Sequence, residues 1–241
     1  RRCTVIWMPG DDTDSSIRAA TKATSTAVET CMSRLTQTCF RFNTRNTRGP
    51  ESSVFKAIRA QYERGAVLAT SGSTTVAATT GYMLTGGSNV YECLRDGATC
   101  DYRGCGAGLT YDANKGLGLM KASAVNEPDW GNALIDVGCT EHGRLLRLLR
   151  LLCDMSDIKE DAEPCGIGIG TNAQLVLDCS TGMAEVCGSS SVQLIDISHV
   201  PETEHGRLRR GARFSVERVI LHSLSRGDKI NMTTGELVIA E

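Results

Sequence analysis

At 241 residues, with 41% hydrophobic and 22% charged side chains, the chain is long enough to bury a full core and too apolar to remain unfolded. A formal charge of −2 without any long one-sign run excludes a dedicated nucleic-acid binder. No stretch approaches the about 18–20 apolar residues of a membrane span; the most apolar run, residues 145–152, is interrupted by Arg147 and Arg150.

In chain order, residues 4–8 read as a strand stopped by Pro9-Gly10, and residues 11–16 supply capping residues for a helix over 17–35. Residues 54–64 form an amphipathic helix with Val54, Ile58 and Tyr62 on one face. Residues 66–69 are an apolar strand running into Thr70-Ser71-Gly72-Ser73, with a helix-like stretch beyond. Residues 84–115, rich in glycine and cysteine, read as a long loop. A strand is expected at 133–137. A helix follows at 142–153, with Arg144, Arg147 and Arg150 three apart. Short strands follow at 166–169, 174–177, 184–187 and 192–197, the later ones antiparallel. A charged loop at 201–211 leads to closing strands at 216–222 and 229–239, turned at Arg226-Gly227-Asp228.

Eleven cysteines contain no CxxC pair and no Cys/His cluster at zinc spacing, so neither a metal nor another cofactor is expected. Disulfides in an oxidising compartment are the favoured reading; buried thiols of a reducing one are the alternative. The sequon Asn231-Met232-Thr233 marks Asn231 as a glycosylation site and points to secretion; the basic run Arg207-Leu208-Arg209-Arg210 reads either as a dibasic processing site of a secreted protein or as a solvated basic loop. An odd count leaves one cysteine free or bonded to a second chain.

The segment that carries chemistry is the strand–turn–helix around Ser71, a layout that presents a serine hydroxyl at the end of a sheet. Such a hydroxyl stays protonated and inert without a base. The competing reading is a turn serine that caps the following helix.

Four segments in order resemble the cyanophycinase and peptidase E group, the S51 serine peptidases. Ile6-Trp7-Met8-Pro9-Gly10-Asp11-Asp12 is similar to that family's strand ending in Thr-Gly-Gly-Asp/Asn-Gln. Residues 64–73 resemble its Gly-Thr-Ser-Ala-Gly elbow. Gly116-Leu117-Gly118-Leu119 with residues 136–149 resembles its Gly-Leu-Gly-Leu … Asp-Gln-His-Phe … Arg-Gly-Arg-Leu stretch. Gly166-Ile167-Gly168-Ile169-Gly170-Thr171-Asn172-Ala173 resembles Gly-Ile-Gly-Ile-Asp-Glu-Asn-Thr.

The resemblance implies a single α/β domain over 1–241. Its sheet is flavodoxin-like and mainly parallel, with helices on both faces and a β-rich C-terminal part. Residues 13–53 contain an insertion, and the leading βα units are absent. A second polypeptide or N-terminal segment is then expected to complete the sheet, within an oligomer. Ser71 takes the nucleophile position and Gly72 N–H the oxyanion donor. Pro9 stands where a second donor is expected and has no N–H. Gly138 occupies the place of the base histidine and Thr171 that of the acid. Asp136, Arg144 and Arg147 match substrate-contacting positions. Asp12 and Val137 replace glutamines, and His142 replaces an arginine.

Losing base and acid costs several orders of magnitude in rate. The favoured reading is therefore a secreted, catalytically inactive relative acting as a structural or binding subunit. Two others stay open. One is an active serine hydrolase with a relocated base such as His142. The other is a carboxylate- or peptide-binding module built on Arg144 and Arg147, whose guanidinium forks match carboxylates. Alternatively, Arg144, Arg147 and Arg150 are the solvated face of a helix buried through its leucines.

Overall fold

The computed structural model describes residues 5–8, 52–64, 67–70, 82–85, 91, 94–95, 108–111, 133–156, 165–178, 180–201 and 214–240. The chain divides into two compact units, Arg1–Met83 with Tyr111–Leu117, and Leu84–Thr110 with Gly118–Glu241.

In the first unit, β1 (Val5–Met8) pairs in parallel with β2 (Val67–Thr70), Val5 opposite Val67 and Met8 opposite Thr70. Between them in sequence lies α1 (Ser53–Glu63). Ser52 starts this helix: its backbone is extended and its Oγ accepts from Phe55 N–H at 3.1 Å. That bond satisfies one of the donors that a helix start leaves open. Phe55 and Ile58, one turn apart, are fully buried. The inward face is thus centred on Phe55 and Ile58, with Tyr62 half-buried beside it. Strands β3 (Tyr82–Thr85) and β4 (Gly108–Tyr111), each cut by the division into units, form a two-stranded sheet; β4 falls inside the stretch expected to be loop.

From residue 134 the second unit contains a β–α–β passage. Strand β5 (Leu134–Val137) leads through α2 (Leu145–Ser156) to β6 (Cys165–Ile169), which lies parallel to β5 with Leu134 opposite Gly166. Helix α2 packs on both strands through Leu148 and Leu152, buried with Leu151. At Gly166 a Cβ would sit 2.7 Å from Leu152 Cδ1 and 3.3 Å from Leu148 Cγ. Glycine at that position therefore sets how closely helix and strand approach. Arg150 is also fully buried: its Nη1 donates to Leu94 O at 3.0 Å, and its guanidinium lies 5.0 Å from the Phe214 ring centroid. This corrects the solvated-face reading of the three arginines at Arg150, and at Arg147, whose side chain is 12% exposed.

Six strands complete the unit: β7 (Ala173–Asp178), β8 (Met183–Gly188), β9 (Val192–Asp196), β10 (Ile220–Leu224), β11 (Lys229–Asn231) and β12 (Leu237–Val238). One four-stranded sheet has the order β10-β9-β6-β5, the other β12-β11-β8-β7. They share one apolar core: Ile135, Ile167 and Leu194 from the first meet Val186, Ile230 and Met232 from the second. Each fully buried aliphatic side chain contributes about 1.5–3 kcal/mol relative to exposure. Alternation on β8, with Ala184 and Val186 buried and Glu185 and Cys187 half-exposed, fixes which face meets the core.

This architecture overturns the expected flavodoxin-like, mainly parallel sheet. Strands pair antiparallel at β6–β9, β9–β10, β7–β8, β8–β11 and β11–β12. For the pairs of strands that follow each other directly, β7–β8 and β11–β12, the reason is connection length. A parallel neighbour needs a crossover of about a dozen residues or more, usually a helix. The β5–β6 passage has one. Residues 179–182 between β7 and β8, and 232–236 between β11 and β12, leave no room for one.

Candidate functional site

The residues singled out by the motif comparison gather where β5 ends and its loop turns into α2. Asp136, on β5, is 2% exposed. Arg147, on the first turn and a half of α2, reaches back so that Nε and Nη2 both donate to Asp136 Oδ2, at 3.2 and 2.6 Å. Arg144 donates through Nη1 to Val137 O at 3.1 Å and lies 3.8 Å from Asp136 Oδ1. Asp136 Oδ1 also accepts from Val137 N–H at 3.0 Å. A buried carboxylate is tolerated only when paired and hydrogen-bonded, and this one is both.

Beyond Val137 the backbone folds tightly. Gly138 has φ +65°, a conformation that side-chain-bearing residues rarely adopt. Its carbonyl accepts from His142 N–H at 3.2 Å, and Cys139 N–H donates to Ile169 O at 3.1 Å, tying the loop to β6. A Cβ at Gly138 would lie 2.8 Å from His142 Cδ2, 3.4 Å from His142 Nε2 and 3.6 Å from Thr171 Oγ1. The imidazole of His142 therefore fills the volume that a side chain at position 138 would take, with the Thr171 hydroxyl beside it. Gly138, His142 and Thr171, far apart in sequence, are brought together here.

Glu141 is the member of this cluster that sequence reasoning missed. Its Oε2 accepts from Thr171 N–H and its Oε1 from Ser190 Oγ–H, both at 2.8 Å. These bonds, the Thr171 N–H first, pull its pKa from 4.5 down to about 2. Its partners lie 30 and 49 residues away, so no local pattern announces them. Cys139 is fully buried, and burial, reinforced by Asp136, pushes its thiol up to about 12. It is a protonated packing group rather than a nucleophile.

Chemically, Asp136 is neutralised by Arg147, Glu141 is held too acidic to accept a proton at neutral pH, and Cys139 is protonated. His142 is the imidazole at this place. His199 instead shares a 2.8 Å hydrogen bond with Ser198 Oγ, and His222 sits on β10 opposite Leu194. Ser71, Gly72, Asp12 and Pro9 lie outside the described residues.

Two other expectations fall on described residues. Asn231, half-buried at the end of β11, accepts through Oδ1 from Thr233 N–H at 2.9 Å and Thr234 N–H at 3.2 Å. These bonds use the amide oxygen, whereas a glycan attaches to the nitrogen. Among the described cysteines, Cys139 and Cys187 carry free thiols. No helix among the described residues is long and apolar enough to cross a membrane. No family model matches the chain.

Proposed function

We propose that this chain is a secreted, non-catalytic relative of the S51 peptidases that acts as a structural or binding subunit of a larger assembly. The observation that carries the reading is internal saturation of the site. Arg147 is committed to Asp136, Arg144 to Val137 O, and Glu141 to Thr171 and Ser190. The arginines and carboxylates that would orient a substrate are committed to partners within the chain. The reading does not need a flavodoxin-like sheet, which the strand order excludes. A serine-reactive fluorophosphonate probe tests it. No labelling above that of a Ser71→Ala variant is expected, and stoichiometric labelling of Ser71 overturns it. Light scattering on the purified protein tests the assembly: a strict monomer with no co-purifying partner counts against it.

One observation favours a second reading, an active hydrolase with His142 as base. The imidazole fills the volume beside Gly138 and stands near the Thr171 hydroxyl. In that case the probe labels Ser71, and His142→Ala abolishes the labelling. Carboxylate capture by the Arg144 and Arg147 pair is less favoured, because Arg147 already gives two N–H donors to Asp136.

A further inference from the structure

A second feature of this unit is unrelated to Ser71. An open groove of about 710 Å³ runs beside β8, walled by the β6–β7 turn and β7 on one side and the β10–β11 turn on the other. That volume suits a ligand of small-peptide size. Asn172 and Gln174 line one wall, Arg226 the other, with Cys187 and Ser189 between them.

The turn that carries Arg226 is rigidly built. Asp228 Oδ2 accepts from Ser225 N–H at 2.7 Å, and its Oδ1 from Ala240 N–H at 2.8 Å. Asp228 N–H returns to Ser225 O at 3.0 Å, and Gly227 N–H donates to Val186 O at 2.8 Å. Charge accounting then singles out Arg226. Glu185, the acid lining the groove, faces Lys229 Nζ at 3.3 Å. Asp228 directs its carboxylate to backbone N–H groups. Among the described residues Arg226 is exposed and has no ion-pair partner.

We infer that this groove is a binding site for a small monocarboxylate, of the size and polarity of a short peptide, held by Arg226. A single uncompensated guanidinium matches a monoanion; a phosphate monoester, which carries nearly two charges at neutral pH, is left half-neutralised. The amides of Asn172 and Gln174 supply donors and acceptors suited to peptide groups. This site stands whether or not Ser71 reacts, so its failure and that of the subunit reading are separable.

The test is calorimetric titration with N-acetyl-alanyl-alanine and, in parallel, its C-terminal amide. Saturable binding of the acid but not the amide is expected. Arg226→Ala should weaken it about tenfold or more, as befits loss of a charge-assisted hydrogen bond. Its melting temperature should be unchanged, since Arg226 is exposed. Bound acid should also slow alkylation of Cys187 by iodoacetamide, measured by peptide mass spectrometry, in the native chain and not in Arg226→Ala. Equal binding of acid and amide, unaltered binding by Arg226→Ala, absence of binding, or Cys187 alkylation indifferent to the acid overturns the inference.

Discussion

Replacing Arg147 by methionine is the sharpest perturbation of the site. The substitution keeps much of the aliphatic stem and removes the guanidinium. Side chains of Asp136 and Arg147 are 3% and 12% exposed, so the pair is effectively desolvated. At an effective dielectric of about 20, charges 2.6 Å apart attract by about 6 kcal/mol before desolvation is counted. Arg144 remains 3.8 Å from Oδ1, but a third of its side chain is in water, so it replaces only a minor part. The net cost of orphaning one member of a buried pair is about 3–5 kcal/mol. For a chain of this length each kcal/mol moves the midpoint by about 2–4 °C, giving a loss on the order of 10 °C in thermal unfolding followed by circular dichroism. The double variant Asp136→Asn with Arg147→Met should recover most of the loss, because no charge is left buried. Lys229→Ala, which breaks an exposed pair with Glu185, should cost about 0–1 kcal/mol. An Arg147→Met protein within about 0.5 kcal/mol of the native one refutes the argument that this pair is a buried, interdependent unit.

Gly138→Ala forces a Cβ onto His142 in a left-handed backbone. It should destabilise by about 1–3 kcal/mol. Adding His142→Ala should relieve the clash but not the backbone cost, so complete rescue in a chemical-denaturation cycle counts against this account. Glu141 lies near pKa 2 when folded and 4.5 when free, so its contribution is present above about pH 4.5 and is lost as pH falls towards 2. Asp178 and Asp228, also held low by hydrogen bonds from Ser180 and from Ser225, act in the same direction. A pH titration of the unfolding midpoint should therefore fall less steeply over that window for Glu141→Gln; identical slopes contradict it. Asn231→Ala strands the N–H groups of Thr233 and Thr234 and should cost about 1 kcal/mol. Asn231→Asp keeps the acceptor and should be milder, while either change should abolish any mass loss on deglycosylation of secreted protein.

Periodicity made the individual elements of the second unit legible. Residues 174–177 and 184–187 alternate and fall within β7 and β8, and the leucines at 148, 151 and 152 mark the inner face of α2. Strand direction is not encoded in alternation, and there the reading went astray. The Gly-Ile-Gly-Ile run of β6 is apolar on both faces, which suits a parallel strand. It equally suits a strand held between parallel β5 and antiparallel β9. The short links between β7 and β8 and between β11 and β12 were the available signal against a parallel sheet. At the site, Asp136, Arg147, Gly138, His142 and Thr171 were named from sequence. Glu141 was not, because a carboxylate whose partners are backbone and hydroxyl groups on distant turns leaves no spacing to recognise.

Arg150 has a consequence for the order in which the protein is made. Its guanidinium meets the carbonyl of Leu94, 56 residues earlier, and the ring of Phe214, which follows β9 in the chain. During synthesis α2 can lay its leucines on β5 and β6 as soon as β6 has emerged. The charged head on the same helix stays hydrated until Phe214 arrives. A nascent chain stopped before that residue should therefore hold α2 with its inner face still wetted at Arg150. In hydrogen exchange, its amides should be less protected than those of the finished protein. Equal protection would mean that the arginine is dried without Phe214.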